Sequence, residues 1–205
     1  MTRIAAIIPV GSFEGAKSRL GELLDAEERQ DLVEGFLART VVAALAADRL
    51  ADVLVVSPDR EVLARASDLG ARTMRQRSRG LNAGLRDARA DVVAGGADAV
   101  VVLPIDLPFL TTPDIGRVLE ALDDRTHVVV LVTDRHGTGT NVLALRPPDV
   151  IDVAFGPGSR AAHRLAAETA GAAYLEVDGP LSVDLDTPDD LVYVEKITEA
   201  GTYAG

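Results

Sequence analysis

No cysteine and no tryptophan occur in the 205-residue chain, and aromatic side chains of every kind make up only 3% of it. The missing thiols exclude disulfides, thiolate zinc sites and cysteine nucleophiles together, so a metal would have to be held by oxygen or imidazole ligands. With so few large rings available, the interior has to be built from small aliphatic side chains on regular helices and strands. Cations are also short: Lys+Arg total 21 against 32 Asp+Glu, a formal net charge of -11. Phosphate backbones and anionic membranes are gripped by clustered Lys and Arg, so this balance argues against a nucleic-acid or membrane partner. A phosphorylated ligand must then be met locally, and a site that mixes carboxylates with phosphates needs divalent cations between them. No apolar run approaches the roughly 20 residues that span a bilayer, and the stretch 4–10 lacks the length and cleavage site of a signal peptide. A cytoplasmic protein is the expectation.

What is present suffices for one folded domain over 1–205. Hydrophobic residues make up 47% of the chain and charged residues 26%, a balance that excludes disorder as the dominant state. Apolar runs at 4–10, 53–57, 99–103, 128–132, 142–145 and 173–177 read as buried strands. Between them, Val33, Leu37, Val41 and Leu45 recur every fourth residue behind a capping-box-like start at Asp25 and Glu28. Similar patterns predict helices at 60–69 with Gly70 as the stop, and at 82–94, 114–122, 159–170 and 189–199. This alternation specifies the α/β class, a mostly parallel sheet with helices on both faces. No internal repeat, low-complexity tract or long linker interrupts it, and Pro147-Pro148 marks a turn.

Chemistry-bearing residues gather in the loops. Gly11-Ser12-Phe13-Glu14-Gly15-Ala16-Lys17-Ser18-Arg19 is one glycine short of a Walker A pattern, with Ala16 where Gly should precede Lys17. A P-loop lysine opens a sustained helix, whereas Gly21 and Asp25 interrupt the run here. The same loop also reads as a looser phosphate cradle, a glycine-containing turn followed by two cations, or as a solvated basic turn. Asp106 stands just beyond the apolar strand, where open α/β sheets bind ligands, with Pro104 and Pro108 restricting the backbone on either side. Val183-Asp184-Leu185-Asp186 places two carboxylates on one face of an extended segment. Such a pair repels unless protonated or bridged, and its hard oxygen ligands suit Mg²⁺. Asp186 or Thr187 equally reads as the cap of a helix with Pro188 at its first position. Gly137-Thr138-Gly139-Thr140-Asn141 and Phe155-Gly156-Pro157-Gly158-Ser159, the latter running into a helix N-terminus, look like anion sites. His163, four residues after Ser159, either faces the same ligand or is a partly exposed helix residue. Gly80-Leu81-Asn82 would recognise a base edge or cap the following helix.

These motifs, in this order and spacing from 4 to about 194, resemble the phosphoenolpyruvate or 2-phospho-L-lactate guanylyltransferases of coenzyme F420 biosynthesis. The resemblance implies a Rossmann-like, nucleotide-diphospho-sugar-transferase-type single domain, similar to molybdenum-cofactor guanylyltransferase, with a mixed, mostly parallel sheet. It implies Mg²⁺ on Asp106, Asp184 and Asp186, and catalytic parts for Asp106, Lys17 and Arg19. Thr140, Gly156 and Ser159 would meet a phosphorylated three-carbon acid, and Lys17, Ser18, Arg19, Gly80 and Asn82 would meet GTP. The chain departs from the family at Gly11, where other members often carry Lys. The implied reaction is attack of a phosphate oxygen of phosphoenolpyruvate on the α-phosphate of GTP, with pyrophosphate leaving. 2-Phospholactate and 3-phosphoglycerate are alternative acceptors. That nucleophile is already anionic, so no general base is needed, in keeping with a chain that has no evident Ser/His/Asp arrangement. The other readings are a sugar-phosphate or molybdopterin nucleotidyltransferase, a P-loop kinase or NTPase, and a noncatalytic nucleotide-binding regulator.

Overall fold

Strands that are apolar on both faces require cover on both faces. In the computed structural model, which describes residues 2–14, 17–123 and 125–201, they receive it. Six strands run in one direction: β1 (Ile4–Pro9), β2 (Leu50–Ser57), β3 (Arg72–Arg75), β4 (Ala99–Val102), β5 (Val128–Thr133) and β7 (Ala173–Glu176). One strand, β6 (Thr140–Arg146), lies antiparallel to both of its neighbours. The order across the sheet is β3-β2-β1-β4-β6-β5-β7. The sheet is thus mixed and mostly parallel. β3 escaped the apolar-run criterion because Arg72-Thr73-Met74-Arg75 is a half-exposed edge strand with cations at both ends.

Alternation along the strands divides the core. Ile4, Ala6 and Ile8 of β1 face one apolar layer, and Ala5 and Ile7 face the other. The first layer is completed by α1 (Ala26–Leu45), α2 (Arg60–Asp68) and α4 (Thr112–Glu120), through side chains such as Leu37, Val62 and Leu119. The second is covered by α3 (Leu81–Ala94) and α5 (Ser159–Ala170), through Leu85, Val92 and Ala167. Each fully buried Leu or Ile adds about 1.5–3 kcal/mol, so the many small contributions make up for the scarcity of aromatics.

The local signals operate as their chemistry requires. Asp25 accepts from the N–H groups of Glu27 and Glu28, both at 2.9 Å, while Glu28 accepts from Asp25 N–H at 2.8 Å, closing a full capping box on α1. Gly70 follows α2 at φ 96°, a conformation that favours glycine. α4 starts earlier than its apolar pattern suggested, because Thr111 caps it and Pro113 fits its first turn. No helix among the described residues is long and apolar enough to cross a membrane. For function, the main consequence is that β6 begins where β1 and β4 end, so Thr140 and Asn141 share a sheet edge with the loops after those two strands.

Candidate active site

The loop leaving β1 is pinned at its near end. Asp59, the cap of α2, also accepts from Ser12 Oγ at 2.6 Å and from Phe13 N–H at 3.2 Å. The Ser12 hydroxyl leads the interactions that hold the Asp59 carboxyl below its ordinary range. Phe13 and Leu20 are buried, anchoring the loop on either side of its polar residues. Gly15 and Ala16, part of the glycine-containing motif, lie outside the described residues. Lys17 follows with φ 49° and ψ 40°, a left-handed backbone at a residue that is not glycine, a conformation costing about 1–2 kcal/mol. Only a single 3-10 turn, Ser18–Leu20, succeeds it, and α1 begins at Ala26. This is not the lysine-headed helix of a P-loop.

The Lys17 ammonium is aimed inward, between two carboxylates. Nζ lies 3.1 Å from Asp106 Oδ2 and also pairs with Asp186, and the lysine side chain is only 11% exposed. Burial by itself would lower the Lys17 pKa, but Asp106 and Asp186 outweigh it and the value is raised. Asp106 reaches this position because Leu103 N–H extends the pairing of β4 to Ile7 O at 3.0 Å before the chain turns at Pro104. The segment carrying the other acids is fastened beside it: Leu185 N–H donates to Asp106 O at 3.0 Å. Val183 and Leu185 are buried while Asp184 and Asp186 are only partly so, as period two requires.

The two readings of Asp186 are separated by the helix that follows, α6 (Pro188–Glu199). Thr187 caps it, and Asp190 closes the box by accepting from Thr187 N–H at 2.8 Å. Asp186 contributes only its backbone N–H, to Asp190 at 3.1 Å, which leaves its carboxylate for Lys17. Arg135 secures Asp190 from the β5–β6 hairpin at 2.6 Å, a pairing across 55 residues that no local motif announces. Asn141 adds a second brace: its amide donates to Leu181 O at 3.0 Å and reaches Asp184 at 3.5 Å.

Three carboxylates therefore share one corner with one ammonium. Burial, followed by repulsion from Asp106, Asp186 and Asp190, pushes the Asp184 carboxyl up to about 6. Asp106 is likewise raised, by burial first and then by Asp186, against the pull of Lys17. Among the described residues no three carboxylate or imidazole groups close into a ready-made metal cage; Lys17 stands between Asp106 and Asp186. The donor set nonetheless fits a hard dication, because it is all oxygen and carries negative charge that Lys17 alone does not neutralise.

The Asp184 shift has a direct consequence for stability. Its folded-state pKa exceeds the ordinary 3.8, so its contribution is fully present below about pH 4 and is lost as pH rises through about 6. In EDTA-containing buffer, Asp184→Asn is expected to gain stability relative to the unmodified protein between pH 4 and pH 7. Thermal denaturation of both proteins at the two pH values measures it, and an unchanged difference would show that the carboxyl is not strained in the fold.

The corner opens into a cavity of about 420 Å³. Lys17, Ser18, Arg19, Asp106 and Asp186 line its polar end, and Val10, Leu81, Leu85 and Phe155 supply apolar wall. Phe155 is held by Asn82, whose amide donates to Phe155 O at 2.9 Å and accepts from Phe155 N–H at 2.8 Å. Asn82 thus does not cap α3, whose N-cap is Gly80 with φ 90° and no side-chain cap, and it commits one donor and one acceptor of its amide to Phe155. It fixes the cavity wall.

Behind Phe155 the remaining sequence candidates come together. Gly156 (φ 131°) and Gly158 (φ 72°) turn the chain into α5, and Ser159 is buried at the start of that helix. His163 is fully buried rather than partly exposed; one ring nitrogen lies 3.0 Å from Thr140 Oγ1 and the other accepts from Ala154 N–H at 2.9 Å. The glycine-rich hairpin before Thr140 departs from the anion-site expectation. Its Thr138 N–H is already donated to Asp134 at 2.8 Å, and Arg160 takes Gly137 O at 2.9 Å. The structure therefore gathers Lys17, Arg19, Asp106 and Asp186 on the cavity wall with Asp184 beside them, whereas Thr140, Gly156 and Ser159 lie outside its lining, Thr140 bonded to the buried His163.

A family model described as "Guanylyl transferase CofC like" matches residues 4–203. The phosphoenolpyruvate guanylyltransferase of Sphaerobacter thermophilus is 43% identical over 193 residues, covering 93% of this chain and 91% of that protein. The phosphoenolpyruvate guanylyltransferase of Rubrobacter xylanophilus is 42% identical, with 94% and 93% covered. Among solved structures, a nucleotidyl transferase from Methanothermobacter thermautotroptrophicus superimposes with a TM-score of 0.69 over 98% of this chain and 100% of that one, at 16% identity, a likeness of fold. A mixed nucleotidyltransferase-type sheet, a lysine set among acids at its edge and a match along nearly the whole sequence agree, and the chain belongs to the CofC-like guanylyl transferase family.

Proposed function

We propose that the protein transfers GMP from GTP to the phosphate of phosphoenolpyruvate, giving enolpyruvoyl-diphospho-guanosine and pyrophosphate, as the family resemblance implies for coenzyme F420 biosynthesis. The observation that carries this reading is the buried Lys17 ammonium among Asp106, Asp184 and Asp186 at the polar end of the cavity. In the reaction an oxygen of the acceptor phosphate bonds to the α-phosphorus of GTP while the bond from that phosphorus to the bridging oxygen breaks. A phosphate monoester loses its second proton near pH ~6, so the attacking oxygen needs no base. Asp106, Asp184 and Asp186 would hold Mg²⁺, which when bound supplies neutralisation of the triphosphate. Lys17 and Arg19 are assigned to the departing pyrophosphate, and Ser18 lies between them on the same cavity wall. The apolar wall at Leu81, Leu85 and Phe155, braced by Asn82 and beginning after the α3 N-cap Gly80, is assigned to the base. Thr140, Ser159 and the Gly156 backbone are assigned to the three-carbon acid, whose two anionic groups suit hydroxyl and N–H donors. Guanine and phosphoenolpyruvate themselves are taken from the relatives' activity.

The test is incubation with GTP and Mg²⁺ plus phosphoenolpyruvate, 2-phospholactate or 3-phosphoglycerate in separate reactions, following pyrophosphate with and without EDTA. Pyrophosphate that depends on phosphoenolpyruvate and disappears with EDTA is expected. Release with 2-phospholactate alone would move the acceptor assignment, and inorganic phosphate in place of pyrophosphate would overturn the reaction class.

A further inference from the structure

His163 is buried without any part in the chemistry above, and its two hydrogen bonds determine each other. Ala154 N–H can only donate, so the ring nitrogen that meets it at 2.9 Å, Nε2, is the unprotonated one. A neutral imidazole carries a single proton, which is then on Nδ1, 3.0 Å from Thr140 Oγ1. The ring therefore donates to Thr140, and the Thr140 hydroxyl has no other protein partner among the described residues. Its own proton is left to point elsewhere. We propose that His163 is a positioning residue that holds the Thr140 hydroxyl as a donor toward the anionic acceptor.

The inference rests on the assignment of Thr140 and Gly156 to the phosphorylated acid. A phosphate or carboxylate offers only acceptors when ionised, so it is matched by a hydroxyl whose lone pair is already occupied and whose proton is free. The opposite tautomer would take the Thr140 proton and turn a lone pair toward the ligand. Burial lowers the His163 pKa to about 4, so one protonation state persists at working pH. The Phe155 ring packs edge-on against the imidazole at 5.4 Å between centroids, which keeps the ring from turning.

Two measurements test this. An amide side chain at 163 reproduces one half of the imidazole: Asn places its N–H₂ near Nδ1, and Gln places its oxygen near Nε2. His163→Gln is expected to raise the KM for phosphoenolpyruvate roughly tenfold, the scale of one charge-assisted hydrogen bond, with kcat and the KM for GTP within about twofold. His163→Asn is expected to stay within about threefold of the unmodified KM, and adding His163→Gln to Thr140→Val should cost nothing beyond Thr140→Val alone. An unchanged acceptor KM, additive effects, or a parallel rise in the KM for GTP would overturn the proposal. The second readout needs no variant at the site. Only 3 histidines occur, and ¹⁵N spectra assigned by replacing the exposed His127 and His136 should show the 163 ring as the Nδ1–H form, its Nδ1 resonance moving on addition of phosphoenolpyruvate. An Nε2–H ring overturns the proposal whether or not the variants fold. Failure of the unmodified protein to use any acceptor would strike the function and not the tautomer.

Discussion

Asp106→Asn is expected to lower turnover by about a thousandfold, close to 4 kcal/mol of transition-state stabilisation, while the protein stays folded. The substitution keeps the shape of the side chain and the main-chain bond by which Asp106 O receives Leu185 N–H. What it removes is charge. The neutral amide no longer forms an ion pair with Lys17, but it also no longer repels Asp184 and Asp186, and the ionised form it replaces was already disfavoured by burial. The two changes in stability oppose each other, so the melting temperature should move by only a few degrees, on the order of 1 kcal/mol. Catalysis has no such compensation, because triphosphate and acceptor bring further negative charge to the same corner. Pyrophosphate release and thermal denaturation of one purified sample measure both effects. Activity within tenfold of the unmodified protein would remove Asp106 from the assignment.

Lys17→Met has a different expected signature. It keeps the length of the side chain and deletes the cation that pairs with both Asp106 and Asp186. Turnover should fall by about a hundredfold to a thousandfold, the usual scale for losing one preorganised electrostatic contact. Here stability should fall too, by about 1–3 kcal/mol in EDTA, because two partly buried carboxylates are left facing one another. Mg²⁺ should then stabilise the variant more than the unmodified protein, since a dication can take over the neutralisation that the ammonium provided. Melting temperatures with and without Mg²⁺ decide it. Equal increments in the two proteins would mean that metal and lysine do not share the carboxylates. Lys17→Gly separates charge from backbone strain, because glycine adopts φ 49° freely and should regain about 1 kcal/mol over Met.

Much of this architecture is legible in the residues. The apolar runs are the strands, the Asp25–Glu28 box opens α1, α5 occupies 159–170 as its pattern indicates, and the 183–186 alternation puts both acids on one face. The edge strand β3 was hidden because a strand exposed on one side needs few apolar residues. The reversal of β6 was signalled only by the six residues between β5 and β6, too few for a crossover and right for a hairpin. Site partners were hidden for another reason. Lys17 meets Asp106 across 89 residues and Asp186 across 169, and no periodicity encodes such distances. For His163 the residues leave a ligand-facing and a partly exposed position both open, and docking of α5 on the sheet turns it inward with Ser159 and Ala167. Asn82 reads as a base contact or a helix cap in the sequence, and only the position of Phe155 shows that its amide braces the wall.

The reversed strand also divides the inheritance of the site along the chain. Lys17 and Asp106 come from the first half, on loops that leave parallel strands, whereas Thr140, Gly156, Ser159 and His163 come from the second, on and around the strand that enters the sheet from the same edge. Asp184 and Asp186 return as the hinge-post between the halves, tied to the first by Leu185 and to the second by Asn141. The two halves are not independent, however: Arg135 of the hairpin 134–139 holds Asp190, and Asp190 holds the Asp186 N–H, so a change in that hairpin is felt at the carboxylate corner. Among the described residues the glycine turn 156–158 carries no such tie to the acids, so it is the segment that can vary in sequence while the corner is copied unchanged.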